Sequence, residues 1–94
     1  MNLRELHTED KPVQTKKIFS PKEGVSAIHI KGGNQLKEHQ SKVLAFLVCT
    51  TGEVVFENEE GIKEKLLSGD FVEIMPGIKH WLTAYKDSDL LLIK

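Results

Sequence analysis

The sequence predicts a single all-β domain, a barrel of about eight short antiparallel strands. Three observations carry that expectation. Turn-forming residues recur at short intervals, the segments between them have β composition, and no long amphipathic helix is present to cover an open sheet. A length of 94 residues suffices for one hydrophobic core and falls short of two. With 39% hydrophobic and 29% charged residues, the composition is that of an ordered globular chain rather than a disordered one.

Clusters of Gly, Pro, Asn, Asp and Ser punctuate the chain at 20–24, 32–34, 50–52, 58–61, 68–70, 75–77 and 86–89. Each supplies something a turn needs: positive φ, a fixed φ, or a side chain that bonds its own backbone. The intervening segments predict strands at 17–19, 25–30, 43–49, 53–57, 62–67, 71–74, 81–85 and 90–93. Residues 1–16 are expected to be a flexible or subunit-contacting segment ahead of a barrel over 25–93.

The stretch after Asn34 has two periodicities. Leu36, Val43, Leu44 and Leu47 would also suit one helix face, and 35–42 contains good helix formers. Strand is preferred from about 42 onward, because 43–49 is apolar on every side and ends at Thr50-Thr51-Gly52 without a helical N-cap before it. Alternation from His39 then places Ser41, Val43, Ala45, Leu47 and Cys49 on one face and Leu44, Phe46 and Val48 on the other. The second apolar face needs its own cover, either the N-terminal segment or another subunit, and a homodimer contacting through Leu44, Phe46, Val48 and Trp81 is expected.

Charge excludes some partners. Thirteen basic and fourteen acidic side chains give a formal net charge of -1, so no strong field draws the chain to nucleic acid or anionic lipid. The apolar run at 43–49 is far shorter than a membrane-spanning helix, and the first residues do not read as a secretory leader. A lone cysteine, Cys49, forms no internal disulfide and fits a reducing compartment, so a cytoplasmic location is expected with Cys49 as a small buried hydrophobe. His7 and His29 have no motif partner and are expected at the surface.

Two spaced constellations remain. Gly33 is followed by five residues, then His39, Gln40 and Ser41, with Gly52 further on; Gly69 is followed by six residues, then Pro76, Gly77, two residues and His80. This pair of motifs resembles the cupin family. The family's first motif runs glycine, His-x-His, glutamate, glycine, and its second runs glycine, Pro-x-Gly, histidine, asparagine. Gly33, His39 and Gly52 match the first without gaps, and Gly69, Gly77 and His80 match the second. The resemblance implies a jelly-roll β-barrel with a pocket at His39 and His80, lined by Ser41, Ala45, Leu47 and Leu82.

The departures bear on chemistry. Ser41 stands where the family has its second histidine, Ala45 where it has glutamate, Met75 at the first proline and Ala84 at the asparagine. Two of the family's four metal ligands are therefore absent, leaving His39 and His80 as the candidate ligands for a divalent transition metal (Zn, Ni, Mn or Fe). Two imidazoles alone compete poorly with water for such an ion. The expected function is binding of a small, partly apolar molecule, in a sensor or accessory role, with a reduced or absent metal site. The alternative is a metal-dependent enzyme of the oxygenase or isomerase kind using His39 and His80. Without the motif context, the same two histidines would read as residues at a barrel mouth bonded to backbone or water.

Overall fold

The computed structural model describes residues 2–19 and 24–94. Nine strands form among them: β1 (Val13–Phe19), β2 (Val25–Ile30), β3 (Gln35–His39), β4 (Ala45–Thr51), β5 (Val54–Asn58), β6 (Lys63–Leu66), β7 (Phe71–Ile74), β8 (His80–Ala84) and β9 (Ser88–Ile93). A 3-10 turn at Leu3–Leu6 precedes them. All pairings are antiparallel, in a five-stranded sheet ordered β1-β2-β9-β4-β7 and a four-stranded sheet ordered β3-β8-β5-β6. The all-β architecture expected from turn spacing, and the jelly roll implied by the resemblance, are what the chain adopts. Of the turn at 20–24, residues 20–23 lie outside the described residues.

The interior is filled from both sheets. Ile28, Ile30, Ala45, Leu47, Cys49, Ile74 and Leu90 come from the larger sheet, and Val54, Phe56, Leu66, Leu82 and Ala84 from the smaller. Alternation on β4 holds as expected, with Ala45, Leu47 and Cys49 buried and Phe46 and Val48 half-buried on the opposite face. Cys49 is a free, fully buried thiol whose ionisation burial opposes, with Asp70 and Asp89 adding to the effect.

Three local expectations are corrected. β1 begins at Val13 rather than at 17, because its whole length pairs with β2 from Val13↔Ile30 onward. A ninth strand, β3, forms where helix formers dominate, since pairing with β8 through Leu36↔Leu82 and His39↔His80 overrides a weak local propensity. The predicted continuity from His39 to Cys49 also fails. His39 ends β3 in the small sheet, and the chain crosses at 40–44 to begin β4 in the large one.

The crossing is held locally. The Ser41 hydroxyl donates to the Val43 carbonyl at 2.6 Å, and the Gly77 amide donates to the Ser41 carbonyl at 2.9 Å. That second bond ties the crossing to the turn before β8, which brings the two motif segments together.

The expectation of surface positions for His7 and His29 is also corrected. The His29 side chain is 20% exposed, and its Nδ1–H donates to Asp89 Oδ1 at 2.9 Å. His7 lies against it, with ring centroids 5.6 Å apart and planes 26° from parallel.

Candidate functional site

The two motif histidines meet. His39 closes β3, His80 opens β8, and they are direct partners in the ladder between those strands. Antiparallel pairing places the two side chains on one face of the sheet. Their ring centroids are 4.0 Å apart at an interplanar angle of 64°, an edge-to-face contact.

Each ring is oriented by a backbone carbonyl two residues before it. His39 Nδ1 lies 2.9 Å from the Lys37 oxygen and His80 Nδ1 lies 3.3 Å from the Ile78 oxygen. A carbonyl oxygen only accepts, so Nδ1 carries the proton in both contacts and Nε2 is the nitrogen left for another partner. Behind them, the Phe56 ring stacks on His80 at 5.7 Å. Asn58, the last residue of β5, is the ladder partner of His80 on its other side.

Burial differs across the pair. His80 is 2% exposed, whereas His39 is half-buried at the rim. Removal from water pushes the His80 imidazole below its ordinary pKa, the neighbouring His39 ring adds to this, and the Ile78 carbonyl opposes it. His80 is thus held in its neutral form at neutral pH, suited to accept a hydrogen bond at Nε2.

The remaining expected pocket residues are packed into the interior. Ser41 is buried and its hydroxyl is engaged by Val43, while Ala45, Leu47 and Leu82 are 3%, 1% and 1% exposed. Side chains with so little surface reachable by water belong to a packed interior, so the open part of the site is its rim at His39.

The family's metal can be tested against this donor set. Ser41 is spent on the backbone, Ala45 offers no donor, and no group of three or more His, Cys, Asp or Glu side chains is placed to hold an ion among the described residues. Two imidazole nitrogens are present and the rest of the coordination sphere is not. The residues do not fit a tightly held divalent metal.

The four expected interface residues divide between two surfaces. Phe46 and Val48 lie on the outer face of the large sheet, and Leu44, just before β4, is 54% exposed. Trp81 lies on the outer face of the small sheet, opposite Glu57. Alternation across a two-layer core separates it from the other three. The residues that sequence reading missed are Phe56 and Asn58, which reach the site through strand register and carry no motif signal.

No protein-family model matches the sequence, and neither does any curated protein. Solved structures do match in three dimensions. A conserved protein of unknown function from Streptococcus pyogenes superposes with a TM-score of 0.83 at 17% identity, covering 99% of this chain and 82% of that one. A cupin superfamily protein from Desulfitobacterium hafniense gives 0.85 at 14% identity, over 98% and 84% of the two chains. Drosophila melanogaster CENP-C, in a structure bound to CAL1, gives 0.72 at 21% identity, over 88% and 75%. With two motif histidines paired between β3 and β8 and this agreement in three dimensions, the chain has the cupin fold.

Proposed function

We propose that this chain is a small-molecule-binding cupin without a resident metal, taking a small, partly apolar ligand at the barrel rim beside His39 and His80 in a sensor or accessory role. One observation carries the reading: two adjacent imidazoles turn their Nδ1 atoms to backbone, leaving Nε2 of the neutral His80 to receive a donor, with Phe56 stacked behind. A few polar groups against an apolar wall is the usual composition of a small-ligand site. The packed interior favours a ligand held at the rim over one enclosed in the barrel.

The alternative, a metal-dependent oxygenase or isomerase, requires an ion at the same two residues. Elemental analysis of tag-free protein separates them. The expected result is metal well below one equivalent, with no change in melting temperature on adding a chelator. Stoichiometric metal that disappears in His39→Ala would favour the enzyme. A thermal-shift screen of small acids, sugars and phenols then seeks a ligand whose stabilisation is lost in the same variant.

A homodimer is a second reading, favoured by the apolar strip on the large sheet. Phe46 stacks on Phe71 at 4.7 Å, and Phe71 is 58% and Ile93 39% exposed beside it. Aromatic and aliphatic groups left wet in this way are typical of contact surfaces. Light scattering is expected to report a dimer for the parent and a monomer for Phe46→Glu; a monomeric parent refutes this reading. The cytoplasm is the expected location, and no helix among the described residues is long and apolar enough to cross a membrane.

A further inference from the structure

Ala27 is out of place for an ordinary outward residue. It pairs with Lys16 on one side and Leu91 on the other, and Leu91 pairs with Val48, so this row lies on the outer face of the large sheet. Yet Ala27 is 1% exposed without belonging to the interior cluster. Something outside the barrel covers it.

The cover is the segment ahead of β1. Leu3 and Leu6 face Lys16, Lys17 and Ile18 across one cleft, and Asn2 and Leu3 face Thr50, Thr51 and Asp89 across another. A segment that borders clefts on both β1 and β4 spans β2 and β9 between them, the strands that carry Ala27 and Leu91. At its far end His7 stacks on His29 beside a cavity of about 350 Å³ lined by His7, His29, Thr51, Asp87 and Asp89.

We propose that residues 2–8 form a strap that docks on the large sheet only while His7 is uncharged, so that mild acid releases it and uncovers Ala27 and Leu91.

The geometry at His7 is poorly suited to a cation. Its Nε2 is buried and has no hydrogen-bond partner, and a buried N–H⁺ without an acceptor is costly. The charged and titratable groups facing it are His29 on β2, Lys16 on β1, Asp89 on β9 and Asp87 in the preceding turn. Lys16 repels a proton on His7. Asp89 attracts it, but its two carboxylate oxygens already accept from His29 Nδ1 and from the Thr51 hydroxyl, and Asp87 accepts from the Gly32 amide. Glu9 and Lys11, which line the neighbouring cleft, are paired with each other.

Burial outweighs the pull of Asp89, so His7 holds its proton less tightly when docked than when free. The sign follows from linkage. Docking is at full strength above the ordinary histidine pKa and is lost as pH falls below it, because the released strap binds the extra proton. One proton weakens the docking equilibrium by up to about tenfold per pH unit.

The test is ¹⁵N heteronuclear NOE on the full chain at pH 7.5 and 5.5, with the His7 Cε1–H shift followed in the same samples. The expected result is a strap as ordered as the sheet at pH 7.5, and a fall in NOE across residues 3–8 that tracks His7 protonation. In His7→Phe, which keeps a ring against His29 but cannot take a proton, the strap is expected to stay ordered at pH 5.5. A wild-type strap still ordered once His7 is protonated overturns the proposal, and so does a His7→Phe strap released by acid as in the parent. The wild-type titration decides the matter alone should the variant not fold.

Discussion

Gly52→Ala is expected to destabilise the fold by about 3 kcal/mol or more, the range reserved for substitutions that collide with buried structure. Gly52 has φ +100, and a Cβ there would lie 2.3 Å from Ser88 Oγ, 2.6 Å from the Asp87 carbonyl oxygen and 2.6 Å from Ser88 Cα. Two of these three atoms are backbone and cannot rotate away. Ser88 itself is fully buried, its hydroxyl donating to the Lys86 carbonyl at 2.7 Å and accepting from the Glu53 amide at 3.0 Å. Retreat by Ser88 would break the bonds that join the start of β9 to the turn before β5. Gly77→Ala is the control, with φ +77 but open space around its Cβ position. Only the backbone penalty of about 1–2 kcal/mol applies there. Urea unfolding of the two variants measures the difference, and equal losses would refute the steric account.

Leu47→Ala is expected to cost roughly 2–5 kcal/mol, as truncation of a fully enclosed leucine does. The family resemblance assigns Leu47 to a pocket wall, whereas it is 1% exposed among Ala45, Cys49, Leu82 and Leu90. These two placements predict different outcomes. A wall residue bordering an open cavity has fewer packing contacts to lose, and its truncation costs less. Denaturant melts of Leu47→Ala beside Leu44→Ala, whose side chain is 54% exposed and whose loss should fall within about 0.5 kcal/mol, distinguish them. A small loss at Leu47 would mean that the barrel has room for a ligand deep inside, and would move the proposed binding position inward from the rim.

Much of the fold was legible because it depends on local chemistry. The turn residues at 32–34, 50–52, 58–61 and 75–77 each separate two strands of the structure, and alternation along β4 correctly divides Ala45, Leu47 and Cys49 from Phe46 and Val48. Gly52 was legible as a motif glycine. The reason for it, an approach to Ser88 closer than any Cβ allows, is a contact between distant parts of the chain. β3 was missed for the same kind of reason. Its residues favour helix weakly, and the partners that hold them extended, Leu82, Thr83 and His80, lie more than forty positions away.

The site divides in the same way. His39 and His80 were identifiable from spacing, and the absence of two metal donors was plain at Ser41 and Ala45. That the two rings touch, that Phe56 stacks on one of them, and that Trp81 faces away from Phe46 depend on which strand pairs with which. His29 looked like a surface residue, since nothing nearby in the chain explains it; its partner Asp89 is sixty positions on.

By itself, then, the sequence determined an all-β chain, the places where it turns, the inward parity of its central strand and the two histidines of interest, all properties of residues and their near neighbours. Tertiary structure alone decided the register that pairs His39 with His80, the close packing of the interior and the burial of Ala27 on the outer face of the large sheet. Those depend on long-range contacts whose energies come from burial and shape, which no local window contains.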